Sequence, residues 1–323
     1  MLFKDISKTE NYYGNIILKL ERVNNSDIIS SSILNRFIKF LDVSKNTTKT
    51  YISGIKQFLI FLNNNSVKNP VRDDVIAFKK ELTAQGKKSA TIALYLSSLR
   101  KFFTWCEAEN IYSNITAGVK TPKQDTGHKR DYFSGKQLKN ILTNVDRSNI
   151  EGLRNYAVLA LMATGGLRTI EITRANIEDI RNIAGTTCLF IQGKGRTDKK
   201  EFIKLTPNTE QAINAYLKAR GKIKSNSPLF VSHSRRNNGK RLTTRTISGI
   251  AKNSMIKAGF DSPRLTAHSF RHSAVTLSLI GGMNLADVQA FARHASINTT
   301  MIYNHAINRM ASKCEMTIEQ AIF

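Results

Sequence analysis

HSFRHSAVTL, residues 268–277, opens a helix with two imidazoles and a guanidinium and continues it with apolar side chains. A helix places His268 and Arg271, three apart, on one face. Arginine offers a fork of fixed donors, and histidine a donor or a transferable proton near neutral pH. Two readings of this polar head are open. It is a solvated helix end, or it holds an anion where free N–H groups and the helix dipole favour negative charge. His272 reads as structural or solvent-facing, with no role assigned to it.

The flanking sequence bears on the choice. Downstream, in FARHASINTTMIYNH (residues 291–305), His294 precedes a short turn, Ser296 can cap, and Tyr303 lies one to two turns into the next helix. A phenol is a poor nucleophile at pH 7 unless cations depress its pKa or a base takes its proton. Upstream, QGKGRTDKK (residues 192–200) sets Lys194 between two glycines, at the tip of a hairpin of two short strands, 187–192 and 201–205. In TGGLRTIEI (residues 164–172) a glycine pair ends one helix and Arg168 opens the next, with Glu171 on its face. Alone, each has a plain explanation: a surface ion pair, an exposed turn lysine, a core or rim aromatic. Their joint order gives them weight.

The balance of charge names the class of partner. Lys and Arg number 49 against 24 Asp and Glu, a net charge of +25 and a pI near 10.1. That excess exceeds what solubility asks of a small domain and points to a polyanion, with nucleic acid the natural one. The basic residues do not gather on one amphipathic helix, and no apolar run approaches the ~20 residues that span a bilayer. The start, MLFKDISKTENYYGN, carries no secretory pattern, so a cytoplasmic protein is expected. Cys106, Cys188 and Cys314 are odd in number, far apart and without metal-ligand spacing. No Walker motif and no carboxylate cluster for Mg²⁺ is present, so no cofactor is expected.

Periodicity divides the chain in two. Residues 30–113 read as four helices. Phe37, Phe40 and Leu41 stripe the first. Asn46-Thr47 caps the second, with Tyr51, Ile55, Phe58, Leu59 and Leu62 on its apolar face. Asp73 caps the third, and Ile92, Leu96, Leu99 and Phe103 mark the fourth. Lys79, Lys80, Lys87, Lys88, Arg100 and Lys101 interleave as a basic face. Polar residues 116–131 read as a linker. Beyond it, helices are expected at 134–145, 153–163, 207–219, 243–258, 268–280, 285–292 and 299–312, around the one hairpin. The fold class is mainly α: a helical N-terminal domain and a mainly helical second domain with a small β-sheet.

The segments GGLRTIEI, QGKG, HSFR, ARHAS and MIYNHA together resemble the tyrosine recombinase (phage integrase) family, in its compact Xer-like or transposon-integrase form. The resemblance implies a DNA breaking-rejoining fold. Residues 30–115 would be a SAM-like core-binding domain and 132–323 the catalytic domain, with a C-terminal tail at 304–323; residues 1–29 form an unmatched N-terminal extension. It implies strand exchange through a 3′-phosphotyrosine. Tyr303 attacks, Arg168 and Arg271 hold the phosphate oxygens, His268 and His294 complete the hydrogen bonding, and Lys194 protonates the leaving 5′-oxygen. Glu171 would orient an arginine or a histidine. One departure is Arg293 where the family usually has glycine before the last histidine.

The loop SHSRRNNGKRLTTRT (residues 232–246) holds Arg235, Arg236, Lys240, Arg241 and Arg245 and no acid, and is expected to contact DNA with Lys87 and Lys88. The implied partners are duplex DNA with inverted-repeat core sites, three further copies of the chain in a tetramer, and accessory DNA-bending or directionality proteins. Integration or excision of a mobile element is the expected role, with Xer-type resolution of chromosome or plasmid dimers as the alternative. A non-catalytic regulator would have lost the tyrosine or an arginine. A type IB topoisomerase would share the chemistry but act alone.

Overall fold

The computed structural model describes residues 30–123, 131–193 and 195–323, with residues 31, 306 and 308–311 described by their main chain alone. Two units result, Met1–Thr126 and Gly127–Phe323. In the first, α1 (Ser31–Phe40), α2 (Lys45–Asn64), α3 (Arg72–Ala84) and α4 (Ser89–Ala108) each bury one face. Ile52, Ile55, Leu59 and Leu62 of α2 share a core with Ile92, Leu96, Leu99 and Phe103 of α4. Edge-to-face rings reinforce it, Phe37 on Phe102 at 5.2 Å and Phe58 on Phe78 at 5.3 Å. Helices α2 and α4 come close because Gly54 has no side chain; a Cβ there would stand 2.6 Å from Ser98 Cβ.

Several local expectations are corrected in this unit. The cap of α2 is Ser44, whose hydroxyl accepts from Thr47 N–H at 3.3 Å, rather than Asn46-Thr47. Helix α3 starts at Arg72, where Val71 N–H donates to Asp74, so Asp73 sits in the first turn and not at the cap. Phe40 is half exposed, since the buried stripe runs Leu34, Phe37, Leu41 and residue 40 falls one position off it. The expected linker begins too early at 116. Thr116 and Val119 are buried, and the carbonyls of Ala117, Val119 and Lys120 accept from Arg72, Arg100 and Lys79. The rest of that linker, 124–130, and the extension 1–29 lie outside the described residues.

The second unit runs α5 (Gly135–Thr143), α6 (Ile150–Gly165), α7 (Thr169–Arg174), then β1 (Ile180–Ile183), β2 (Thr186–Ile191) and β3 (Glu201–Lys204), then α8 (Pro207–Arg220), α9 (Thr244–Lys257), α10 (Ala267–Ile280), α11 (Leu285–Ala292), α12 (Ile297–Ala311) and α13 (Cys314–Ile322). Helix α6 is apolar nearly all round and becomes the central helix. Its Val158, Leu161 and Met162 share a core with Ile213 and Tyr216 of α8, Ile247 and Met255 of α9, and Phe270 of α10. The sheet is antiparallel in the order β1-β2-β3, with Ile183 opposite Thr186 and Leu189 opposite Ile203. Strand β1 adds a third strand to the expected hairpin of β2 and β3. It is mostly exposed, so IRNI carries no alternation to betray it. Its turn to β2 places Ala184 and Gly185 at positive φ, the twist a two-residue hairpin needs.

Phe133 N–H donates to Ser273 Oγ at 2.7 Å, which ties the entry of this unit to the middle of α10. A smaller cluster of Val275, Val288, Ala292 and Tyr303 joins α10, α11 and α12. Every residue of α13 is exposed, Met316, Ile318, Ile322 and Phe323 among them.

Candidate active site

The site begins at the glycine pair. Gly166 turns the chain out of α6 at φ 56°, a left-handed conformation that glycine adopts without strain. Its carbonyl accepts from Arg271 Nη1 at 2.7 Å and from Arg293 Nη2 at 3.2 Å. Arg168 then caps α7: its N–H donates to Glu171 Oε2 at 2.8 Å, and its Nη1 donates to Glu171 Oε1 at 2.9 Å. Glu171 is fully buried and also pairs with Arg293 at 3.1 Å. A buried carboxylate between two guanidiniums has its charge compensated and fixes both side chains. The face shared by Arg168 and Glu171 was legible; the third member, Arg293, was not.

Arg271 is 4% exposed on the inner face of α10. Besides Gly166, it donates through Nη2 to the carbonyl of Ala292. Arg168 Nη2 reaches the next carbonyl, that of Arg293, at 3.4 Å. The turn after α11 thus ties the two arginines together. Arg293 makes that turn without glycine, at φ 55° and ψ 47°.

His294 follows, its Nδ1 on Thr300 Oγ1 at 2.9 Å and its ring stacked on Tyr303 at 6.2 Å. Tyr303 projects from α12 into the small apolar cluster and is 6% exposed. Its hydroxyl is hydrogen-bonded to Nδ1 of His272, a residue assigned no role from sequence. The signal existed: 268 and 272 are four apart, so both histidines share a face of α10. His268 itself is exposed at the N-terminus of α10. Lys194 lies outside the described residues, while Gly193 before it accepts from Arg174 at 2.9 Å and lines the same cleft as Arg168, Arg293 and His294.

Burial, and the guanidiniums of Arg168 and Arg293, push Arg271 down to about 9, which leaves it charged at pH 7. Burial, then Arg271, Arg168 and Arg293, push His294 down to about 4, so its imidazole is neutral there. The guanidiniums of Arg168 and Arg271 and a neutral imidazole beside a phenol can hold a phosphate while an oxygen attacks its phosphorus. Among the described residues no three His, Cys, Asp or Glu cluster as metal ligands.

The residues expected on DNA are distributed unevenly. Arg235, Arg236, Lys240 and Arg245 are exposed on the 232–246 loop and the start of α9, and Lys87 and Lys88 are exposed at the start of α4. Arg241 is engaged within the protein. It donates to the carbonyls of Thr173 and Ala175 at 2.7 and 2.9 Å and to Asn176 Oδ1, closing the end of α7. No helix among the described residues is long and apolar enough to cross a membrane.

Comparison with known proteins follows the same division. Residues 131–309 match the phage integrase family, and residues 34–110 match the phage integrase N-terminal SAM-like domain. Tyrosine recombinase XerD of Listeria innocua is 29% identical over 289 residues, which cover 85% of this chain and 94% of that one. Tyrosine recombinase XerC of Herpetosiphon aurantiacus is 30% identical over 300 residues, 89% and 94% of the two chains. Among solved structures, the XerH site-specific recombinase in a post-cleavage complex with palindromic difH superposes with a TM-score of 0.69 at 21% identity, covering 93% of this chain and 94% of that one. The Tn1549 transposon integrase with transposon right-end DNA reaches 0.65 at 18%, over 87% and 99%.

Proposed function

The chain belongs to the phage integrase family and is a site-specific tyrosine recombinase, and on that premise we propose that Tyr303 is its nucleophile and Arg168 and Arg271 its phosphate holders. The observation that carries this reading is convergence. The turn at 292–293 receives hydrogen bonds from both arginines, and the next residue, His294, stacks on Tyr303. Four side chains from distant parts of the sequence come together as transfer to a phenol requires.

In the proposed reaction the Tyr303 oxygen attacks the scissile phosphorus. The phenolic proton passes to an acceptor, and the bond from phosphorus to the 5′-oxygen breaks, leaving a 3′-phosphotyrosine. Lys194 supplies the proton to the departing 5′-oxygen. Arg168 and Arg271 balance charge that grows on the non-bridging oxygens, with His268 and His294 as further donors. His272 is the histidine on the hydroxyl in this state, and His268 lies one turn before it on the same helix. A 5′-hydroxyl from a partner strand then reverses the step, and the phosphodiester is restored without an external energy source.

The substrate is duplex DNA with an inverted-repeat core site, held through phosphates by exposed lysines and arginines including Lys87, Lys88, Arg235, Arg236, Lys240 and Arg245. The assembly is a tetramer in which α13 docks on a neighbouring copy, because its apolar residues are exposed and find no cover among the described residues. For the biological role, resolution of replicon dimers is the reading supported by the XerC and XerD relatives, which match along most of both chains. Mobile-element integration is the other reading; the compact size of the chain suits both, and the transposon integrase neighbour speaks only to the fold. A suicide duplex nicked near the cleavage site tests the chemistry: wild-type protein should be trapped covalently at Tyr303. A plasmid carrying two directly repeated candidate sites from beside the reading frame tests the role. Excision between them supports resolution, and joining only to mobile-element ends overturns it.

A further inference from the structure

Arg293 is held against two costs. A side chain in the left-handed region is strained, and its Nε–H is buried without an acceptor among the described residues. The guanidinium nevertheless sits almost wholly inside, with its side chain 5% exposed. Nη1 donates to Phe291 O at 2.6 Å, and Nη2 donates to Gly166 O at 3.2 Å and Glu171 Oε2 at 3.1 Å. Its own carbonyl and the preceding one accept from Arg168 and Arg271. Gly166 O and Glu171 are the same groups that hold Arg271 and Arg168 from their other side. One residue therefore closes a loop of contacts around both arginines, with its main chain on one side and its side chain on the other.

We propose that Arg293 is a positioning residue for cleavage, which locks the turn at 292–293 to Glu171 and Gly166 and so fixes Arg168 and Arg271 in the geometry that receives the phosphate. This rests on the reading of those two arginines as phosphate holders. A lysine would keep the charge but lacks the planar fork that spans three acceptors in different directions. A glycine would relieve the backbone strain but leave the turn untied. Arg293 also contributes to the field at His294. The other groups facing that imidazole are Arg271 from α10, Arg168 ahead of α7 and Tyr303 from α12, with Arg196, Lys200 and the Glu201 carboxylate lining the same cleft.

The test compares full-length wild type, Arg293→Gly and Arg293→Lys in four measurements: thermal melting, gel-shift affinity for a one-site duplex, single-turnover cleavage of the nicked duplex, and NMR titration of the His294 ring. Both variants should stay folded but melt lower than wild type, because Gly166 O, Phe291 O and the Glu171 carboxylate lose buried donors, and both should bind as wild type does, because phosphate contacts dominate binding. Both should cleave ~10²-fold more slowly, the scale expected when reacting groups are misplaced by about an ångström. The His294 titration should move up in Arg293→Gly, which loses a neighbouring cation, and stay in place in Arg293→Lys. A folded Arg293→Lys protein that cleaves at the wild-type rate overturns the proposal, whatever the glycine variant does. So does a folded Arg293→Gly protein with wild-type cleavage. If wild-type protein itself forms no covalent adduct, the reading of Tyr303 with Arg168 and Arg271 falls instead.

Discussion

Removing the Tyr303 hydroxyl with Tyr303→Phe takes away one oxygen and its bond to His272, and leaves the packing of the ring. Duplex binding should persist while the covalent adduct disappears; an SDS-resistant complex formed by the variant would refute the assignment. Arg168 and Arg271 should separate by the company they keep. Each change to alanine should raise the cleavage barrier by ~2.7–4 kcal/mol, the scale of a lost oxyanion donor. Arg271→Ala should also lower the melting temperature, because the buried carbonyls of Gly166 and Ala292 lose a donor. Arg168 is a quarter exposed, and its removal should be felt mainly in catalysis. The depressed pKa of His294 makes a stability prediction whose sign is fixed. The unfolded chain takes up the proton near 6.5 and the folded chain only near 4, so stability is full above about 6.5 and falls as pH drops toward 4. Screening at this half-buried ring leaves a loss of ~1–2 kcal/mol across that window. Urea midpoints at several pH values should show it, and His294→Gln should flatten the curve.

At the scale of elements, close approach is the feature to probe. Gly54→Ala puts a methyl 2.6 Å from Ser98 Cβ, so α2 and α4 must part, at a cost of about 1–3 kcal/mol. Adding Ser98→Gly removes the closest clash, leaving Tyr95 Cα at 3.2 Å, and should recover part of the loss in denaturant melts, net of the cost of a glycine within a helix. Much of the element order was legible in the sequence because chemistry marks the ends: Pro207 in the first turn of α8, Asn284 accepting from Asp287 N–H ahead of α11, and Gly166 after α6. Strand β1 was not legible, since a mostly exposed strand need not alternate. The partners of the site were legible in proportion to their distance in sequence. Arg168 with Glu171 is an i,i+3 pair. By contrast, spacing puts His272 on the same face of α10 as His268, but that it meets Tyr303 depends on how α10 packs against α12. Arg293 ran against expectation for the same reason: its position disfavours any side chain, and only the acceptors it reaches explain it.

For the whole molecule, the test lies in the tail. Deleting residues 317–323 removes Ile318, Ile322 and Phe323, all exposed on their own chain, and should leave one-site DNA binding intact while abolishing pairing of two sites and recombination. Gel shifts on one-site and two-site DNA distinguish these outcomes, and full-rate recombination by the truncated protein would remove α13 from the assembly. The inward seat of Tyr303 has its own consequence for a chain of +25. Phosphate attraction brings such a chain to any stretch of a genome, among ~10⁶–10⁹ competing sites. If Tyr303 is the attacking residue, its oxygen must first leave His272 before contact with DNA can cut. If about one chain in a hundred shows its phenol at a given moment, accidental scission slows by about that factor. A core site that favoured the uncovered arrangement would restore the rate there. Fidelity would then be exercised in time as well as in affinity, with the protein resting anywhere on DNA and cutting only where the duplex itself draws the tyrosine out.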